Sequence, residues 1–275
     1  MPLLPSNLFK RANAYLDKDA DDFVPPVIDG VKMGLGLSAR DMRTDPRAEG
    51  LEEYPDDLLI PEADIKGMLA EQIANHASLF ELRERSNGQL DSLNQSHYGL
   101  CWAFSSTKAA MYAEAVAGNP ITKLSPWYVA GMIKGWRDEG GWGEASTKFL
   151  LEQGAPKYES CPDYSKKYAT AEVAAEAKKN LLLEAWIGSG DKEKRCHQMV
   201  SNFLRGNSGV LDLNWMGHSM SGCRLVSFTS FRKLEVDTDN SWGMGSGVKG
   251  LYRLVDSKAM PDDLVMPRVI TAAGK

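Results

Sequence analysis

The sequence predicts an α+β fold, with a helical half packed on an antiparallel β half and a cleft between them. Two observations carry the prediction. Segments from about Pro61 to Leu183 read as helices, and after about Gly206 the pattern changes to short β-prone runs separated by Gly or Ser. A third observation bounds the size: 275 residues, 43% hydrophobic and 9% aromatic, suffice for one large domain or two small ones and are too apolar for disorder.

Residues 1 to about 55 carry prolines at 2, 5, 25, 26, 46 and 55 and glycines at 30, 34 and 36, so turn chemistry dominates there, with a short helix allowed from Leu8 to Asp17. Pro61 to Arg83 reads as one helix, because Ile65, Met68, Leu69, Ile73 and Leu79 make an apolar face. The next helix begins at Cys101 and runs to about Ala117, its alanines permitting close packing. Ser125 as N-cap and Pro126 at the first position open another. Glu144 to Gln153 follows, ended by Gly154, and Ala171 to Leu183 reads as a helix with one solvent face. The alternating charges of 166–194 read as a solvated face. Strands are expected at Val210–Trp215, Arg224–Phe231 and Gly250–Val255.

Composition excludes several classes of function. With 32 Lys+Arg against 37 Asp+Glu the net charge is −5, so the basic footprint of a nucleic-acid binder is missing and no nucleic-acid partner is expected. No run approaches the 18 or so apolar residues of a spanning helix, so no membrane partner is expected either. The opening Met1-Pro2-Leu3-Leu4-Pro5 lacks a secretory apolar core, and export by an ordinary signal peptide is not expected. Cys101, Cys161, Cys196 and Cys223 form no CxxC pair, which excludes a zinc ribbon and a dithiol motif; no metal and no cofactor are expected. Sparse thiols of this kind suit a reducing interior, where Cys161, Cys196 and Cys223 serve as buried apolar residues.

The chemistry is concentrated in Asn94-Gln95-Ser96-His97-Tyr98-Gly99-Leu100-Cys101-Trp102-Ala103-Phe104-Ser105. Downstream stand Leu124-Ser125-Pro126-Trp127-Tyr128, then Gly140-Gly141-Trp142, Gly217-His218-Ser219 and Asn240-Ser241-Trp242-Gly243-Met244-Gly245-Ser246-Gly247. In that order, the segments resemble the papain-like cysteine peptidases over roughly residues 80 to 256. The Gln-x5-Cys-Trp-Ala-Phe and Asn-Ser-Trp-Gly motifs are specific as a pair. The resemblance implies a papain-like α+β fold, Cys101, His218, Asn240 and Gln95 as catalytic residues, and Gly140, Gly141, Trp142 and Trp242 lining a peptide-binding cleft.

Physical chemistry supports the same assignment. A free thiol is mostly protonated at neutral pH, whereas Cys101 at a helix N-terminus would meet unpaired N–H groups that favour thiolate. His218 would complete an ion pair and protonate the leaving amine. Asn240 would hold the ring by its other nitrogen, with Trp242 covering that bond. Gln95 would offer its amide, beside the Cys101 N–H, to the developing oxyanion, each such donor being worth about 3 kcal/mol of barrier. The bland readings are a packing thiol for Cys101, a cleft-wall residue for His97, and structural or exposed roles for His76 and His197.

Departures from the family pattern are equally specific. Tyr98 replaces a disulfide cysteine, Gly217 the Asp before the histidine, Ser219 a common Ala and Ser246 a common Trp. The stretch from His218 to Asn240 is longer than usual. The helical inhibitory propeptide pattern is missing, and Leu82-Arg83 resembles the usual start of the mature domain.

The organisation expected is thus an N-terminal extension over 1–80 (propeptide-like, cap or docking arm), a papain-like domain over 81–256 and a C-terminal tail over 257–275. The function expected is a thiol hydrolase, foremost a cysteine peptidase acting on a peptide or protein substrate, in the cytoplasm or in a viral particle. Two rivals stand beside it: a structural subunit of a large assembly such as a phage virion, contacted through residues 1–80, and an acyl transferase of transglutaminase type.

Overall fold

The computed structural model describes residues 3–20, 23–38 and 51–268. The chain opens with helix α1 (Ser6–Arg11), strand β1 (Tyr15–Leu16) and a hairpin of β2 (Val27–Ile28) and β3 (Val31–Lys32). Strand β4 (Glu52–Glu53) precedes the helical half: α2 (Glu62–Ala74), α3 (Leu79–Arg85), α4 (Cys101–Val116), α5 (Pro126–Lys134), α6 (Gly143–Glu152) and α7 (Ala171–Ala177). The remainder is β5 (Glu184–Ile187), α8 (Lys192–Leu204), β6 (Val210–Leu213), β7 (His218–Ser230), β8 (Lys233–Asp239), β9 (Leu251–Val255) and β10 (Asp263–Arg268).

Local chemistry explains the boundaries. The single helix expected over 61–83 breaks in two because Ser78 and Glu81 form a capping box that starts α3 afresh, just after His76 takes φ of 50°. Ser125 caps α5 as expected, accepting from the Tyr128 N–H at 3.3 Å, and Gly135 ends it in the left-handed region. Helix α7 stops at Ala177, short of the expected Leu183. The charged stretch beyond it hides β5 and α8, whose Cys196, Met199, Val200 and Phe203 form a buried face behind Lys192, Glu193 and Lys194.

The β half is an eight-stranded sheet in the order β1-β9-β8-β7-β6-β10-β5-β4. The pairs from β9 to β5 are antiparallel, and the outermost pairs, β1 on β9 and β4 on β5, are parallel. One expectation is corrected here. Residues 263–268 lie between β6 and β5 rather than in a tail, because Leu264, Val265 and Met266 are wholly apolar and complete the ladder. The extension supplies both edge strands of the sheet, β1 and β4. No helix among the described residues is long and apolar enough to cross a membrane. All four cysteines are free and buried.

Helix α4 joins the two halves. Its Trp102, Phe104, Met111 and Tyr112 are buried, while Ser105 meets Ser219 (Oγ to Oγ, 2.6 Å) and its carbonyl accepts from Ser221 Oγ at 2.8 Å. These bonds fix the start of α4 against the start of β7. The N-terminal edge is fastened by Arg253, which is buried and bidentate to Asp237 (2.7 and 3.1 Å), bonded to Leu4 O and Ser6 Oγ at 3.1 Å, and stacked over Phe9 at 4.3 Å. Arg253→Ala leaves the buried Asp237 with Arg224 alone and frees α1, so a loss of about 3–5 kcal/mol is expected in urea unfolding. An unchanged midpoint and slope would remove Arg253 as the anchor.

Candidate active site

Cys101 is the first residue of α4, and His218 the first of β7. The thiol lies against the backbone N–H of Ser219, the residue after His218, and against those of Gly36 and Trp102. His218 Nε2 is 2.8 Å from Asn240 Oδ1, which also accepts from the Ser241 N–H at 2.7 Å. An amide oxygen can only accept, so Nε2 carries the ring proton and Nδ1 keeps the lone pair. That Nδ1 is buried and has no hydrogen-bond partner among the described residues. Trp242 covers the ring, with centroids 4.5 Å apart, and Phe23 from the extension stacks on the indole at 5.9 Å and 2°.

Gln95 is fixed from both ends. Its Oε1 accepts from Ser241 Oγ, and its Nε2 donates to Tyr98 O (2.7 Å) and Gly34 O (3.1 Å). The loops carrying Gln95 and Trp242 are joined by a bridge between Asn94 and Trp242 and by the bond from Gln95 N–H to Ser241 O at 2.8 Å. Gln95, His218, Asn240 and Trp242, from three separate stretches of the chain, are thus linked to one another, and Cys101 lies against Ser219, the neighbour of His218.

The cleft beside them is filled by the chain itself. Residues 33–38 cross it in extended form, with Leu37 in a parallel bridge to Gly141: Gly141 N–H donates to Gly36 O (3.0 Å) and Ser38 N–H to Gly141 O (3.1 Å). Leu37 N–H donates to Gly217 O (3.1 Å), Gly34 N–H to Ser96 O (3.0 Å), and Trp242 Nε1 to the same Gly34 carbonyl that Gln95 holds (3.1 Å). Trp142, about a third exposed, donates from Nε1 to Ser38 O at 2.9 Å. Gly140 and Gly141 therefore hold a peptide backbone edge to edge, and a Cβ on Gly140 would lie 2.8 Å from Gly36 O.

Glycine is required on the facing side too. A Cβ at Gly36 would stand 1.8 Å from Gly99 O, and one at Gly34 2.1 Å from Tyr98 O. Met33-Gly34-Leu35-Gly36-Leu37 is thus a segment in which Gly34 and Gly36 carry no side chain, which lets two backbones touch. That alternation was the sequence signal for a cleft occupant, and the turn-rich reading of 1–55 passed over it.

Burial overturns one electrostatic expectation. The Cys101 thiol is fully enclosed, and burial pushes it up to about 12; the Ser219 N–H opposes the rise, the Asp212 carboxylate adds to it, and the N–H groups of Gly36 and Trp102 oppose it again. Thiolate is therefore disfavoured in the closed chain, because desolvation outweighs the helix N-terminus. Burial likewise holds His218 down to about 4, against the Asn240 hydrogen bond. The neutral ring supports the closed fold fully above its ordinary value near 6.5 and progressively less as pH falls toward 4.

The sequence matches no family model and no curated protein. Among solved structures it is similar to procathepsin L 3 of Tenebrio molitor (TM-score 0.53, 17% identity), over 65% of this chain and 66% of that one, so it spans just under two thirds of that relative. Xylellain, a cysteine protease from Xylella fastidiosa, aligns with TM-score 0.57 and 15% identity over 87% of this chain and 97% of its own. Procathepsin B S9 from Trypanosoma congolense aligns with TM-score 0.58 and 12% identity over 98% and 100%. These likenesses are of fold, and the fold is papain-like.

Proposed function

We propose that this papain-like fold is a thiol hydrolase, specifically a cysteine peptidase, held latent by residues 33–38. The observation that carries the reading is the occupied cleft. A peptide backbone already runs along Gly141 beside Cys101, with one carbonyl held by the Gln95 amide. In the open site Cys101 would attack a substrate carbonyl and His218 would protonate the leaving amine. Gln95 would then steady the oxyanion while water released the acyl-enzyme. Asn240 would keep the imidazole in the tautomer that leaves Nδ1 for the thiol.

The test is hydrolysis of a fluorogenic peptide library by the full-length chain carrying Gly36→Val, which cannot seat residues 33–38. Cleavage is expected, and adding Cys101→Ala should abolish it while leaving the unfolding transition in place. An opened chain whose Cys101 reacts with small electrophiles but which cleaves nothing would overturn the reading, as would cleavage surviving Cys101→Ala.

A further inference from the structure

Asp239 ends β8, is 3% exposed, and directly precedes Asn240. Four side chains close on its carboxylate. Ser92 Oγ donates to Oδ1 and the Tyr112 hydroxyl to Oδ2 at 2.9 Å, while Lys108 Nζ and Arg83 Nε stand 3.3 and 3.5 Å from Oδ2. The same cations grip the chain that leads to Gln95. Lys108 Nζ donates to Leu90 O and to Asp91 O (2.9 Å), and Arg83 donates to Leu90 O and Ser92 Oγ, each at 3.1 Å. Arg83 also donates to Lys249 O, next to Gly250, whose carbonyl accepts from the Asn240 N–H at 2.9 Å. The approaches to Gln95 and to Asn240 and the turn at 249–250 therefore meet on one buried carboxylate.

Fold stability alone is a weak reason for such a cluster. Charges cost so much to bury that apolar residues of the same volume serve as well. What charges add is register, since a carboxylate ringed by four donors is satisfied in one position only. Register matters one residue further on. The Asn240 amide is held at Oδ1 alone, between His218 Nε2 (2.8 Å) and the Ser241 N–H (2.7 Å), and its buried Nδ2 has no hydrogen-bond partner among the described residues. With no bond at Nδ2 to stop the amide from turning over, its sense depends on where the backbone puts it. A turned amide would donate from Nδ2 to the ring Nε2, and the ring proton would then sit on Nδ1, the nitrogen the thiol needs free.

We propose that Asp239 is a positioning residue for the thiol site: locked by Lys108, Arg83, Tyr112 and Ser92, it sets the Asn240 backbone so that His218 is kept in its Nε2–H tautomer. The consequence for hydrolysis rests on the reading of the site as a peptide-cleaving thiol, whereas the effect on the ring does not. Loosening the lock leaves the fold standing and lets the second tautomer in.

The experiment reads the tautomer directly, by long-range proton–nitrogen correlation on the full-length chain with isotope-labelled histidine above pH 7. The His218 signals are those that His218→Gln removes. The parent chain should show the Nε2–H form with at most a trace of the other. In Asp239→Asn the Nδ1–H form should rise about tenfold or more, as the loss of a charge-assisted hydrogen bond allows, and Lys108→Met and Tyr112→Phe should each give part of that rise. Carried in the Gly36→Val chain, Asp239→Asn should lower kcat for peptide hydrolysis about tenfold or more with KM nearly unchanged, because Asn240 touches the ring and not the substrate. A purely structural cluster would lower the unfolding midpoint and leave both the tautomer and the kcat per folded chain alone. Tyr112→Phe removes a single hydroxyl and keeps the test open should Asp239→Asn fail to fold. Folded variants whose His218 stays in the parent tautomer would overturn the proposal. A tautomer shift beside a Gly36→Val chain that cleaves no peptide would refute the peptidase and keep the positioning role; cleavage with the tautomer unmoved would do the reverse.

Discussion

In the full-length chain, Gly36→Val is expected to raise the rate at which iodoacetamide modifies Cys101 at pH 7 by at least about a hundredfold. Three backbone atoms of Gly99 stand within 2.5 Å of the place a Cβ would take, and backbone cannot yield as a flexible side chain can. The segment must leave, giving up its bonds to Gly141, Gly217, Ser96 and Gln95. While it is seated, burial holds the thiol at about 12, which leaves a thiolate fraction on the order of 10⁻⁵ at neutral pH. Solvent access removes the largest cause of that rise. Gly67→Ala on α2, where a Cβ meets nothing, is the control and should change nothing. Peptide mapping separates Cys101 from Cys161, Cys196 and Cys223, all of which burial also pushes up. A Gly36→Val chain with Cys101 as unreactive as before would show that residues 33–38 do not control access.

The second large effect concerns His218. In the opened chain, His218→Ala should reduce peptide hydrolysis by about 10²–10⁴-fold, the usual contribution of a positioned acid–base group. Alkylation adds a second signature. With His218 present and solvated, Cys101 should react at pH 5–6 almost as fast as at neutral pH, because the imidazolium stabilises the thiolate. Without it, reactivity should climb about tenfold per pH unit up to the ordinary thiol range near 8.5, as an isolated thiol does. Identical pH profiles for the two chains would dissolve the proposed ion pair.

Legibility in the sequence followed how local each signal is. The start of α4, the Ser125 cap and the Asn240-Ser241-Trp242 turn are written in contiguous residues, and all were readable. The fold class was readable too, since helical spacing precedes β-prone runs. Residues 33–38 were not, because their extended path is held by partners distant in sequence, Ser96, Gly141, Gly217 and Trp242. Strands β1 and β4 have two residues each and no pattern of their own. Charged residues masked α8, whose apolar face appears only when Cys196, Met199, Val200 and Phe203 are set on a helix. Strand β10 lies in the stretch expected as a tail, and its partners β5 and β6 are distant in sequence, so its pairing was not readable locally. The state of the thiol was the deepest miss. Helix position can be read from sequence, but whether water reaches a sulfur depends on what the rest of the chain lays over it.

The N-terminal extension closes both margins of the eight-stranded sheet, β1 covering β9 and β4 covering β5. Open strand margins are templates for pairing between molecules. Trimming the chain to its cysteine-bearing body would therefore uncover a row of unsatisfied N–H and C=O groups on each flank, and the product would be prone to self-associate. A single nick that left both flanking strands in place would free the cleft and keep the particle colloidally sound. The extension thus contributes two short edge strands as well as the segment in the cleft, and its removal would leave the longer β9 and β5 as the margins of the sheet.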